Sequence, residues 1–352
     1  MSARLCLASC FLPLDEPTCR WWLRFRDELA RQGHDLVLLS AQAPALSELP
    51  VIQVPLWLHG FARAYTVPTS TVTLEEPLAH ALAARDRHWS GQENLELAEF
   101  FQGIAAAQHV FRTLLNELQP AAVLTWGSSL PQSVVLQQIA LQQGRPTWVI
   151  ERGLLPQTLM IEMAGQGGHS ELNWSFTLRR AASGAASPDL FAAAQAAARP
   201  TPVADSDLAA LRQRYNPDGR RLLVALLQHD PAAGLVPHSY LGSRIHAPGI
   251  GTSADLIREL SRVVSQEPDC RLLVKPHPQD KTDYSRWDNG RIRIVRDVPS
   301  LVLIEAAEAV VSMTSTTQFE AVLAGKPVVL AARSPLANKG IAYEANTAAE
   351  LL

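Results

Sequence analysis

Cysteine is scarce in this 352-residue chain, and the four present, Cys6, Cys10, Cys19 and Cys270, form no C-x-x-C pair and no metal-ligand cluster. They read as small buried hydrophobes in a reducing compartment. A dominant charge is missing too: 31 Lys and Arg stand against 34 Asp and Glu, a formal net charge of −3 with a pI near 6.4. There is no basic field of the kind that nucleic acid requires, and nucleic acid is not an expected partner. No charged n-region precedes an apolar h-region, and no apolar stretch reaches membrane-spanning length. The chain is therefore expected to be soluble and cytoplasmic; a peripheral contact with the inner face of the membrane through Trp21, Trp22 or Trp57 stays open. No internal repeat or heptad pattern is visible. What is present is 47% hydrophobic and 18% charged residues, enough for two domains with a core each.

The chain opens as a βαβ unit: an apolar strand at Arg4–Phe11, a helix from Thr18 to Gln32 capped by Thr18, a stop at Gly33, and a strand at Asp35–Ser40. Residues 41–93 show no clean period and read as a strand near Val51–Val54 plus a long insertion. A helix over Leu95–Leu118, a strand at Ala121–Trp126, the loop Gly127-Ser128-Ser129, a helix from Pro131 to Gln143 and a strand at Thr147–Ile150 follow. Composition then shifts through Gly165-Gln166-Gly167-Gly168 and the alanine-rich stretch Ala181–Ala198. After the turn Asn216-Pro217-Asp218-Gly219 the β/α alternation restarts and runs to Ala331. The expected architecture is α/β, with two Rossmann-like domains facing across a cleft. Residues 1–180 are expected to form the first domain, 181–215 a linker or helix, and 216–352 the second.

Chemistry concentrates at the strand ends. Lys275-Pro276-His277-Pro278 closes the apolar run Arg271–Val274 with a cation, an imidazole and two rigid prolines. Ser312-Met313-Thr314-Ser315-Thr316-Thr317 closes another strand with hydroxyls and opens a helix, whose N-terminus suits a phosphate. Together they predict a pocket for a phosphorylated, nucleotide-bearing ligand. His277 is positioned to neutralise a leaving phosphate, or is an ordinary loop histidine. Lys275 reaches the same phosphate or pairs with a surface acid. Ser312, Thr314, Ser315 and Thr316 bind phosphate or cap the next helix, two roles that are compatible. Glu320 accepts from ribose hydroxyls, or forms a capping box with Thr317. Glu151 and Asp230 each leave a strand end, one in each half, where open α/β sheets place ligands. Paired carboxylates at an anomeric carbon are what glycosyl transfer needs. The plainer readings are a surface ion pair of Glu151 with Arg152, and a cap or Asx turn at Asp230 before Pro231. Gly153 lets the backbone bend, and Arg152 offers a clamp for a substrate acid. His229, His238 and His246 are not spaced like a metal site, no D-x-D signature for a metal-bound nucleotide is read, and no clustered acidic motif accompanies the phosphate turn, so the reaction is read as metal-independent.

Glu151-Arg152-Gly153-Leu154-Leu155-Pro156, Gln228-His229-Asp230, Lys275-Pro276-His277-Pro278 and the block from Ser312 to Val329 resemble the capsule-polysaccharide-type glycosyltransferases of Gram-negative bacteria, particularly the Kdo (3-deoxy-manno-octulosonate) transferases. The resemblance covers roughly Pro131 to Val329. It implies a two-domain GT-B fold, CMP-Kdo as donor, and a glycan or glycolipid acceptor in capsule, O-antigen or lipopolysaccharide synthesis. The H-P motif and the Ser/Thr turn are also similar to those of GT-B sialyltransferases, whose donor is CMP-sialate, so the shared part points to the CMP phosphate. By that likeness His277 and Ser312–Thr316 bind CMP, Asp230 is the nucleophile of a retaining β-transfer, and Glu151 is the opposing acid/base. Arg152, Gly153, Gln228, Ser128 and Ser129 are the substrate-binding candidates. The first 130 residues match no motif of the family, and the 60–95 insertion is unfamiliar. The end at Leu352 without an obvious crossing helix leaves open a shortened chain or one domain of a larger transferase. A sugar-nucleotide epimerase of GT-B-like fold and a non-catalytic nucleotide- or glycan-binding domain are the alternatives.

Overall fold

A computed structural model describes residues 4–65, 73–127, 129–153, 159–163, 165, 170, 202–231, 233, 249–345 and 347–351. The chain divides into two compact units, residues 1–151 with 160–166, and residues 152–159 with 167–352. Each is an α/β unit around its own sheet, as the alternating pattern predicts.

In the first unit the strands are β1 (Arg4–Ser9), β2 (His34–Ser40), β3 (Val51–Gln53), β4 (Ala122–Trp126), β5 (Thr147–Arg152) and β6 (Leu159–Glu162), in the order β3-β2-β1-β4-β5-β6. Pairing is parallel from β3 through to β5. Strands covered on both faces need continuous apolar runs. That is why Leu7, Leu38 and Val123 are fully buried, each burial stabilising by roughly 1.5–3 kcal/mol. Helix α1 (Glu16–Arg31) begins two residues earlier than the sequence suggests. Its cap is Asp15, whose carboxylate accepts the Thr18 amide at 2.9 Å; Thr18 supplies the amide, not the cap. The stretch 41–93, read as an insertion, contains α2 (Leu58–Ala64) and α3 (Glu76–Ser90). Both pack with α4 (Leu97–Leu118), the long helix expected from the sequence. Asp86 of α3, fully buried, takes the amides of Leu58 and His59 and the His59 ring, so it caps α2 through space and leaves no local signature in the sequence. Gly103 of α4 is the point of closest approach, where a Cβ would stand 2.1 Å from the Leu58 carbonyl oxygen.

The second unit contains β7 (Arg221–Leu226), β8 (Cys270–Lys275), β9 (Ile292–Ile294), β10 (Ala309–Ser312), β11 (Val328–Leu330) and β12 (Tyr343–Glu344). Their order is β12-β11-β10-β7-β8-β9, parallel throughout. Read from the other edge, this is the winding of the first unit: third, second, first, fourth, fifth, sixth. Helices α5 (Pro131–Gln142) in the first unit, and α6 (Asp205–Tyr215), α7 (Ser253–Gln266), α8 (Ser300–Ala306) and α9 (Thr317–Leu323) in the second, complete the elements used below. Residues 205–215, the end of the stretch read as a linker or helix, form α6, and its Leu211 and Tyr215 are built into the core of the second unit. The alanine-rich stretch 181–198 lies outside the described residues.

Candidate functional site

In a doubly wound sheet the first and fourth strands are neighbours whose connections depart in opposite directions, and ligands bind beyond their carboxyl ends. In the second unit those strands are β7 and β10, followed by Gln228-His229-Asp230 and by the Ser312–Thr316 turn. β8, beside β7 with Leu226 paired to Lys275, delivers Lys275 and His277 to the same edge.

Gln228 joins two of these groups. Buried at 5% exposure, its Oε1 accepts the Thr314 amide at 3.0 Å and the Thr314 hydroxyl at 2.6 Å, while its Nε2 donates to Asp230 Oδ1 at 3.3 Å. Asp230 is held from the far side by the start of α7: Ser253 N–H donates to Oδ2 at 2.9 Å and Ser253 Oγ–H to Oδ1 at 2.6 Å. These bonds are not the cap or Asx turn before Pro231 of the plainer reading: they go to Ser253, the first residue of α7, whose N-cap is Thr252. Burial raises its pKa, and nearby Asp280 pushes the same way; the bonds from Ser253 and Gln228 oppose this. Each carboxylate oxygen has two lone pairs. Oδ1 uses both on Ser253 and Gln228, and Oδ2 keeps one.

His277 is half-buried. Its Nδ1 accepts the Gln279 amide at 3.2 Å, and its ring centroid lies 5.8 Å from that of His229. Burial lowers its pKa, the His229 ring adds to this, and Asp280 works against it. Asp280, absent from the sequence reading, organises the loop. Its amide donates to the His277 carbonyl, and its carboxylate accepts the Thr282 amide at 2.9 Å and the Tyr284 hydroxyl at 2.8 Å. Burial alone would raise the Asp280 pKa; those hydrogen bonds and the His229 ring bring it below the usual carboxylate range. Arg296 fastens the same loop through the carbonyls of Asp280 and Thr282, at 2.8 and 2.7 Å. Lys275 has a different partner from the phosphate or surface acid expected. Its Nζ donates to the carbonyls of Val298 and Arg296, at 2.6 and 3.2 Å, and burial lowers its pKa.

The hydroxyls of the turn divide by role. Ser312, fully buried, donates to the Leu226 carbonyl at 2.8 Å and stitches β10 to β7. Thr314 serves Gln228, and Ser315 accepts the Thr317 amide at 3.3 Å. Thr316 is the exposed N-cap residue of α9, without a side-chain capping bond. Gln318, also unread from sequence, props the turn from beneath: its Nε2 donates to the carbonyls of Ser312 and Met313 and its Oε1 accepts from Ser334. The capping box suggested for Glu320 is not formed. Its carboxylate is half-buried without a hydrogen-bond partner among the described residues, and burial raises its pKa.

In the first unit β5 runs through Glu151 and Arg152, two residues beyond the expected strand end, with Glu151 half-buried, Arg152 exposed and Gly153 following. Ser129, buried after β4, offers its carbonyl to Nη1 of buried Arg85 at 2.8 Å. Ser128 and Leu154–Pro156 lie outside the described residues. A D-x-D, Asp205-Ser206-Asp207, does occur in the sequence; it occupies the first turn of α6, where acids suit the helix dipole. Among the described residues no group of three or more His, Cys, Asp or Glu could hold a metal ion, and no helix is long and apolar enough to cross a membrane.

Residues 242–351 match the family model of capsule polysaccharide biosynthesis proteins. The family likeness read from the motifs is borne out over that span. No curated protein matches the chain. Similar solved structures include the β-Kdo 2,7-transferase of Thermosulfurimonas dismutans KpsC, 19% identical over 67% of this chain and 73% of that one, with a TM-score of 0.46. The β-Kdo 2,4-transferase of the same protein is 17% identical over 65% and 74%, with a TM-score of 0.43. The Methanocaldococcus jannaschii UDP-GlcNAc 2-epimerase is 10% identical over 99% and 90%, with a TM-score of 0.41.

Proposed function

We propose that this chain is a glycosyltransferase of bacterial surface polysaccharide synthesis, moving Kdo from CMP-Kdo to a sugar acceptor with retention of configuration. The observation that carries the reading is the arrangement at one sheet edge: Gln228 links the Asp230 carboxylate to the Thr314 turn, with His277 on the neighbouring strand end. A nucleophile next to a phosphate-binding turn is what displacement at an anomeric carbon requires. The donor phosphate lies against His277 and the hydroxyls of Ser315 and Thr316, and Glu320 accepts from the ribose.

In the first step the free lone pair of Asp230 Oδ2 attacks the anomeric carbon, the bond to the phosphate oxygen breaks, and CMP leaves. The acceptor hydroxyl then attacks the glycosyl ester, its proton passes to Glu151, and the Asp230 carboxylate is released. Arg152 is the partner for the carboxylate that Kdo carries on its anomeric carbon, and Gly153, Ser128 and Ser129 are assigned to the acceptor. Imidazole and hydroxyl donors take the place of a divalent ion in this scheme, and a CMP-activated donor puts the reaction in the cytoplasm.

The test is incubation with CMP-Kdo generated in situ and a panel of labelled acceptors, with and without EDTA, read by mass. A mass gain of one Kdo that survives EDTA is expected; no gain with any acceptor overturns the assignment, and loss on chelation restored by Mg²⁺ overturns the metal-free scheme. Ligand-induced stabilisation should favour CMP over UMP and GMP, amounting to about 2.7 kcal/mol at 100 times the dissociation constant. Equal stabilisation by UMP would favour the epimerase alternative.

A further inference from the structure

His229 lies between Gln228 and Asp230 and has no part in the chemistry above. Its ring is 5.8 Å from the His277 ring, centroid to centroid, with a tilt of 36°. The two histidines follow adjacent parallel strands, β7 and β8.

The hydrogen on each ring is fixed by what the other nitrogen does. His277 Nδ1 accepts the Gln279 amide, so in the neutral ring the hydrogen sits on Nε2. His229 Nδ1 is buried with no hydrogen-bond partner. A hydrogen there would be a buried donor with no acceptor, so the favoured tautomer again carries it on Nε2. Both rings thus offer an Nε2–H, and neither donor is used by a described residue.

No hydrogen bond joins either ring to the nearby acids. The Asp280 oxygens take Thr282 and Tyr284, and those of Asp230 take Ser253 and Gln228. The neighbouring cation is also committed, since Lys275 is bound to the carbonyls of Arg296 and Val298. Neither Nε2–H has an acceptor among the described residues, and a group with several acceptor oxygens and no donor would supply one to each. A phosphate ester is such a group, and the two rings are a fork for it.

We propose that His229 and His277 form a two-imidazole anion subsite, each donating from Nε2 to an oxygen of the same phosphate. The proposal deepens the donor reading and rests on it for the identity of the phosphate.

Calorimetry on the full chain with CMP and with cytidine tests it. His229→Ala should weaken CMP by about tenfold and leave cytidine unchanged, because a single hydrogen bond to a charged group is lost. His229→Gln puts an amide N–H near the Nε2 position and should recover most of the affinity. His229→Asn reaches only the Nδ1 position and should not. Unchanged CMP affinity in His229→Ala, parallel loss of CMP and cytidine, or better rescue by Asn than by Gln overturns the proposal. Should His229→Ala fail to fold, the Gln and Asn variants carry the comparison. Should the wild type bind no CMP, the donor reading fails by itself. Inorganic phosphate titrated against ¹⁵N-labelled histidine then decides the subsite: both Nε2 resonances must move together, and an unmoved His229 overturns it.

Discussion

Gln228 and Thr314, 86 positions apart, are joined by two hydrogen bonds into one acceptor, amide at 3.0 Å and hydroxyl at 2.6 Å onto Oε1. The end of β7 and the turn after β10 are therefore one unit, and the same glutamine reaches Asp230 from its other terminal atom.

Gln228→Leu keeps the volume and removes every one of these bonds, leaving the Thr314 amide without its acceptor. The expected cost is about 2–3 kcal/mol, the range for a buried polar group left unpaired. CMP affinity should fall as well, because the turn is no longer pinned. Chemical denaturation and CMP titration on one preparation check both; normal stability with normal CMP binding would show that the bridge is not used.

Lys275 separates two roles that the sequence left equal. With Nζ on two carbonyls, Lys275→Met should destabilise the protein by about 1–2 kcal/mol while leaving CMP affinity nearly as it was. A phosphate-binding lysine would give the opposite: steep loss of CMP affinity, strongest at low salt, with stability kept. Thermal melts and titrations at two ionic strengths distinguish them.

Much of this was legible from the chain. Apolar runs ending in Gln228-His229-Asp230, Lys275–Pro278 and Ser312–Thr316 placed the polar residues at the carboxyl ends of β7, β8 and β10, because a run buried on both faces has to end where polarity returns. The supports were not legible. Asp280, Tyr284, Gln318 and Ser253 act through contacts that depend on how the loops fold back. Only Thr252-Ser253-x-Asp255, a capping pattern, and Asp280-x-Thr282, an Asx turn, left a local trace. Helices α2 and α3 were missed for a related reason: α2 is capped by Asp86 from another helix, and α3 begins at Glu76 with no side-chain cap.

Glu320 gives a pH test. Burial raises the pKa of its carboxyl in the folded protein above the unfolded value. The folded state therefore favours the protonated acid. The stability that this contributes is fully present below about pH 4.3, the ordinary glutamate value, and is lost as pH rises through the folded pKa. Glu320→Gln should then melt above the wild type at pH 7, and the difference should vanish near pH 4. The same variant should bind CMP less tightly if the carboxylate receives ribose hydroxyls. A Glu320→Gln protein that melts below the wild type at pH 7 would show a favourable partner for the ionised group.

Asp230 is both a structural acceptor and the proposed nucleophile, and two substitutions separate these parts. Asp230→Asn keeps one oxygen for Ser253 but lacks an anionic attacking atom. It should fold, bind CMP and lose nearly all transfer. Asp230→Ala also abandons the Ser253 amide and hydroxyl, so it should lose transfer and some stability at the start of α7, about 1–3 kcal/mol. Glu151→Gln should stop after the first step and accumulate a protein one Kdo heavier, the adduct mapping to the peptide that contains Asp230. Intact-protein mass spectrometry with peptide mapping reads all three variants. Turnover near the wild-type rate in Asp230→Asn, or an α-linked product from the unmodified protein, would leave Asp230 only its structural role at the start of α7, since inversion requires a single displacement without an ester on the protein.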